Sequence, residues 1–177
     1  MLSRRLCTVI IIAALAMAMI KVATAAFAEE EEKEKEKHKF IAKLTGGEEV
    51  PPKTTKATGT AEFILEHDGK TLSYKISVKG IHSVTTANIH NGTKGGKGPA
   101  LATLFRSRTA NPILGFVTEN IPTNGVLSEG TITSSNLQGP LKGKQVPDLA
   151  NIMKAGQAYA DIRTKQNPKG EIRGQIS

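Results

Sequence analysis

"TAEFILEHDGKTLSYKISVKG", Thr60 to Gly80, decides the fold. Its apolar residues recur at every second position. Ala61, Phe63 and Leu65 share one side, with Glu62 and Glu66 on the other. Leu72, Tyr74, Ile76 and Val78 then share one side, with Thr71, Ser73, Lys75, Ser77 and Lys79 opposite. A period of two sets one face on a core and the other in water, which is the pattern of half-buried antiparallel strands. Between the runs, Asp68-Gly69 supplies the positive φ that a tight turn needs. The stretch predicts a β-hairpin.

Further strand candidates are Thr85 to His90, Ala100 to Phe105, Val126 to Thr133, Gln157 to Thr164 and Glu171 to Ile176. Glycines and Pro168 punctuate them, and many short strands at such spacing predict a sandwich or barrel. One segment departs from the pattern. In "VPDLANIMKAG", Leu149, Ile152 and Met153 recur at helical spacing, Asp148 favours the first turn and Gly156 closes the last. This predicts a short helix crossing one end of the strands, and "TSSNLQGP" adds a helical turn near Ser134 and Ser135. The chain shows no internal repeat and no boundary after Phe40.

Ahead of this domain, Arg4 and Arg5 precede the apolar run Leu6 to Ile20, and Ala26-Phe27-Ala28 fits the small-x-small cleavage rule. That order predicts a secretory signal peptide over residues 1–28. Lys21 ends the apolar run short of the ~20 residues of a membrane span, which argues against an uncleaved anchor. Residues 29–39 are Glu, Lys and one His, His38, with nothing apolar to bury. They predict a solvated, disordered spacer. The only cysteine, Cys7, leaves with the leader, so disulfides and thiolate metal sites are excluded from the mature chain. Arg4, Arg5 and Lys21 leave too, and taking those three cations from +8 gives +5. The lysines are scattered, tryptophan is absent, and the stacking aromatics of single-strand nucleic-acid binders are scarce. The expected partner is an extracellular protein or an anionic polymer, with no nucleic acid and no integral span after cleavage.

Three separated motifs, "KFIAKLTGGEEVPP", "GIHSVTTANIHNG…GKGP" and "YADIRTKQNPKGEIRGQI", resemble the CHRD domain, named from chordin and also found in exported microbial proteins. The resemblance spans Lys39 to Ser177 and implies a Greek-key antiparallel β-sandwich. The middle motif is also distantly similar to copper–zinc superoxide dismutase. CHRD members commonly carry a histidine pair in the middle motif and another histidine in the last. Carried onto this chain, those positions are Asn88, His90 and Arg163, so one histidine remains. Asparagine is a poor metal ligand and arginine has no lone pair to give. A stable copper or zinc site wants three or four ligands. His38, His67 and His82 lack ligand spacing, so no metal and no cofactor is expected.

Two readings attach to the remaining polar residues. Asp161 and Arg163 on one strand, with Glu171 and Arg173 on the next, form a charge ladder that fixes register. Alternatively, Arg163 and Arg173 beside Asn88 and His90 form a pocket for a carboxylate or phosphate, which the arginine fork suits. Glu48 and Glu49 point oppositely and make no catalytic dyad. "NGTKGGKGP" lacks the ending of a nucleotide-binding P-loop and reads as a mobile loop, and Asn91-Gly92-Thr93 is a glycosylation sequon. No nucleophile–base set is visible. The sequence thus points to an exported, non-enzymatic binding or structural module. The alternative is a metal-handling, dismutase-like protein with His90 as residual ligand.

Overall fold

The computed structural model describes residues 39–107 and 123–177, so the leader and the spacer up to His38 lie outside the described residues. The deciding stretch forms β2, Thr58–Leu65, and β3, Leu72–Ile81, paired antiparallel with Leu65 opposite Leu72. The connection is looser than a two-residue turn. Gly69 takes φ 62, while the Asp68 carboxylate accepts from the amides of Lys70 and Thr71 at 2.8 and 3.1 Å. β1, Lys39–Thr45, pairs with β2 and completes a meander; it begins one residue inside the stretch assigned to the spacer.

The remaining strands are β4, Val84–Asn91, β5, Ala100–Arg106, β6, Thr123–Ile132, β7, Ala158–Thr164, and β8, Ile172–Gln175. One eight-stranded antiparallel sheet results, in the order β5-β4-β7-β8-β1-β2-β3-β6. Its two edges approach each other. The Leu104 carbonyl on β5 accepts from the Tyr74 hydroxyl at 2.7 Å and from the Ser128 hydroxyl at 2.9 Å. The all-β expectation is met as a nearly closed barrel, in which the strands expected to form a sandwich belong to one continuous sheet. Outside the barrel, Leu137 bridges to Ala102 and the Gln138 amide reaches the Leu101 carbonyl at 2.9 Å, covering backbone that an edge strand would leave open.

Of the alternate residues read as sharing one side, Ala61, Phe63, Leu72, Ile76 and Val78 are buried, and Leu65 and Tyr74 are partly buried against the same core. Ala61, Phe63, Leu72, Ile76, Ile89, Ile162 and Ile172 belong to one buried cluster. Helix α1, Val146–Lys154, adds Leu149, Ala150 and Met153 to it, while Ile152 packs at its margin. Asp148 acts from the third helical position, its carboxylate accepting from the Gln145 amide at 2.9 Å, and Gly156 leaves the helix at φ 64. The turn expected near Ser134 is a 3₁₀ helix, Ser134–Asn136, and a second follows at Gly139–Leu141.

Candidate functional site

Alternation on β4, β7 and β8 sends one set of side chains into the core and the other outward. The outward set is His90, Tyr159, Asp161, Arg163 and Arg173, with Asn88 on the same face of β4. Register places His90 opposite Tyr159, Asn88 opposite Asp161 and Asp161 opposite Arg173. Outward does not mean exposed here. His90 retains 5% of its exposure, Asp161 4% and Arg173 2%, because flanking segments lie over this face. Together with Glu49, Lys97, Gly98, Pro168 and Lys169, five of them line an open-mouthed cavity of about 250 Å³.

The loop read from its composition as mobile is part of the cover, held at several points. His90 Nδ1 donates to the Gly98 carbonyl at 2.9 Å, since a carbonyl only accepts. The Asn91 amide reaches Pro99, the Gly92 amide reaches Gln157, and Arg173 Nη2 donates to the Thr93 carbonyl at 3.1 Å. A Cβ on Gly98 would lie 1.9 Å from the Asn91 carbonyl oxygen, so glycine is what lets the loop come this close. Gln175 Nε2 lies 3.0 Å from the Gly92 carbonyl and 2.8 Å from that of Gly156, tying the loop to the turn before β7.

The charges are arranged unevenly. His90 Nε2 lies 3.2 Å from Asp161 Oδ1 and 3.4 Å from Arg163 Nη2, while Arg163 Nε donates to Asp161 Oδ2 at 3.0 Å. The His90 contact is a proximity rather than an aligned bond, and Oδ1 has no hydrogen-bond partner among the described residues. Burial is the largest influence on Asp161 and alone would raise its pKa. The close approach and charge of His90, then the charge and hydrogen bond of Arg163, together outweigh it and hold the carboxyl below its ordinary range. Glu49 goes the other way: burial first, then the nearby Asp161 charge, push its carboxyl up. Burial likewise pushes the Tyr159 phenol up. The Tyr159 ring stacks on His90 at 5.1 Å between centroids, and the Arg173 guanidinium lies 3.4 Å over it, a cation–π contact made in a dry setting.

A model of the CHRD domain family matches residues 40–176. The chain belongs to the CHRD domain family. No curated protein matches it significantly. The CHRD match takes in all eight strands but for Lys39, and the family is one of non-catalytic modules.

Within this CHRD domain, His90, Arg163 and Arg173 are brought to one cavity, with Asp161 beside them. Asn88 lies outside it; its Oδ1 accepts from Thr103 at 3.1 Å and its Nδ2 faces Thr86. Glu171 stands apart from the charges as well, because its oxygens accept from Thr55 at 2.8 Å and Thr164 at 2.6 Å instead of from an arginine. Sequence reasoning missed Glu49, Tyr159, Lys97 and Lys169. Tyr159 was legible, since it precedes Asp161 by two on the same face. Glu49 was not, although the opposite aim of the two glutamates holds: Glu48 pairs with Lys94 at 3.0 Å and Glu49 turns inward.

The residues do not fit a transition metal. Nδ1 of His90 is committed to a carbonyl, and a permanent guanidinium stands 3.4 Å from Nε2, where it would repel an ion. No group of three or more His, Cys, Asp or Glu is placed to hold a metal among the described residues. The cavity wall there carries no serine, threonine or cysteine to act as a nucleophile.

Proposed function

We propose that this CHRD domain is an exported, non-enzymatic binding module of a secreted or cell-surface protein, and that the pocket over β4, β7 and β8 seats an anionic group of its partner. Arg163 carries the reading. Its side chain is 35% exposed, it gives Nε to Asp161, and its Nη1 makes no hydrogen bond among the described residues. Lys97 and Lys169 stand exposed at the same mouth. A guanidinium with open donors beside two ammonium groups suits a carboxylate or phosphate, presented by an extracellular protein or an anionic polymer.

The leader's composition supports export, and N-terminal sequencing of protein recovered outside the cell should begin at Glu29. No helix among the described residues is long and apolar enough to cross a membrane. Calorimetric titration with inorganic phosphate at low ionic strength tests the seat. Arg163→Ala is expected to weaken binding at least tenfold; unchanged binding would remove the proposal. Stoichiometric copper or zinc that is lost in His90→Ala would favour metal handling instead.

A further inference from the structure

We propose that the seat takes a small acidic amino acid, its ammonium group against Glu49 and its acid group against Arg163. The inference rests on the reading of the pocket as an anion seat, and it begins from what a plain anion leaves unserved.

Glu49 lines the cavity at 6% exposure with its carboxylate against Gly170, and its Oε1, closed to solvent, has no hydrogen-bond partner among the described residues. The ion pairs within 4 Å among those residues do not include it. The cations nearby act on it only through space. Arg173 is committed to the Tyr159 ring and the Thr93 carbonyl, and Lys97 is exposed at the mouth. Asp161, on the same wall at 4% exposure, also keeps one oxygen without a hydrogen bond. A buried carboxylate without an ion pair is costly, and the cost is relieved by a cation with donors. An ammonium is compact and brings three.

The buried wall thus carries two carboxylates, Glu49 and Asp161, against one guanidinium, that of Arg173, while Arg163, Lys97 and Lys169 stand at the mouth. A plain anion would add a further negative charge beside two carboxylates. A plain amine would enter past Arg163, Lys97 and Lys169. A molecule carrying both groups meets both ends. The lining holds Arg163, Arg173, Lys97 and Lys169 against Glu49 and Asp161, an excess of cations that favours a ligand of net negative charge. Size agrees: 250 Å³, at roughly 30 Å³ per water, gives room for about eight water-sized groups, close to the size of aspartate.

L-aspartate and succinate differ only in the ammonium group, so their comparison isolates it. Each is titrated calorimetrically into the purified protein, its Glu49→Gln variant and its Arg163→Ala variant, with inorganic phosphate as a third probe. Aspartate is expected to bind about tenfold tighter than succinate; Glu49→Gln should erase that preference without weakening succinate, and Arg163→Ala should weaken both. Phosphate and succinate binding with aspartate no tighter would overturn the amino-acid inference and leave the anion seat standing. Failure of all three probes would overturn both. Should Glu49→Gln fail to fold, the ratio in the unaltered protein decides.

Discussion

On the outer face of β1, β2 and β3, Lys43, Thr60 and Ser77 stand side by side in register, open or half-open to solvent. On the outer face of β4, β7 and β8, His90, Tyr159, Asp161 and Arg173 occupy equivalent outward positions and are buried. Alternation is the same in both places; what differs is the cover. The first face carries residues that water serves, and its ion pairs, Lys39 to Glu62 at 3.3 Å and Lys75 to Glu129 of β6 at 3.9 Å, leave no less than 45% of each side chain exposed. The second carries residues that must serve one another, and two of its carboxylates are served incompletely. In a strand, a polar residue announces an outward direction, and the segments that fold over it determine whether that direction leads to solvent or to a site.

Substitutions can break or sharpen this contrast. Asp161→Ala should have the largest effect, about 3 kcal/mol of lost stability in denaturant titration, because it strips a buried carboxylate from beside His90 and Arg163. The value belongs at the low end for a buried pair, since Arg163 can still turn to water. Thr164→Val comes next, at about 1–3 kcal/mol, since the fully buried Thr164 hydroxyl is a donor to Glu171. Lys75→Ala on the open face should change stability by less than about 0.5 kcal/mol. A loss at Lys75 comparable to that at Asp161 would erase the distinction between the faces.

The two carboxylates also predict opposite responses to pH. Asp161 titrates below its ordinary 3.8 in the fold, so its contribution is present above that value and is lost as pH falls through the folded pKa. Glu49 titrates above 4.5, so its contribution is full below that value and is lost as pH rises through the folded pKa. Glu49→Gln should therefore stabilise the unliganded protein at pH 7. Its melting curve should converge with that of the unaltered protein below pH 4.5.

Legibility followed the same division. The hairpin, the helix and the inward faces of β2 and β3 could be read because burial in a core has a period, and the period is written locally. Asp161, Arg163 and Arg173 were legible as charges in strands, where a solvated role and a buried one look identical. Glu49 could not be read as a neighbour of Asp161: 112 positions separate them along the numbering, and it is long-range contacts such as the β1–β8 pairing at Thr45 and Arg173 that bring their neighbourhoods together. Asn88 was drawn into the site by the histidine positions of the family it resembles, and Glu171 into the charge ladder by strand parity. Thr103, Thr55 and Thr164 claim them from neighbouring backbone whose position no local pattern gives.

The central claim, that the covered face is a ligand seat, is tested most directly by following backbone and arginine Nε–H resonances by NMR while L-aspartate is added. The account predicts saturable shifts at Arg163, His90, Gly98 and Tyr159, with Lys43, Thr60 and Ser77 unmoved. Shifts confined to the open face, or spread evenly over exposed lysines without saturation, would contradict it.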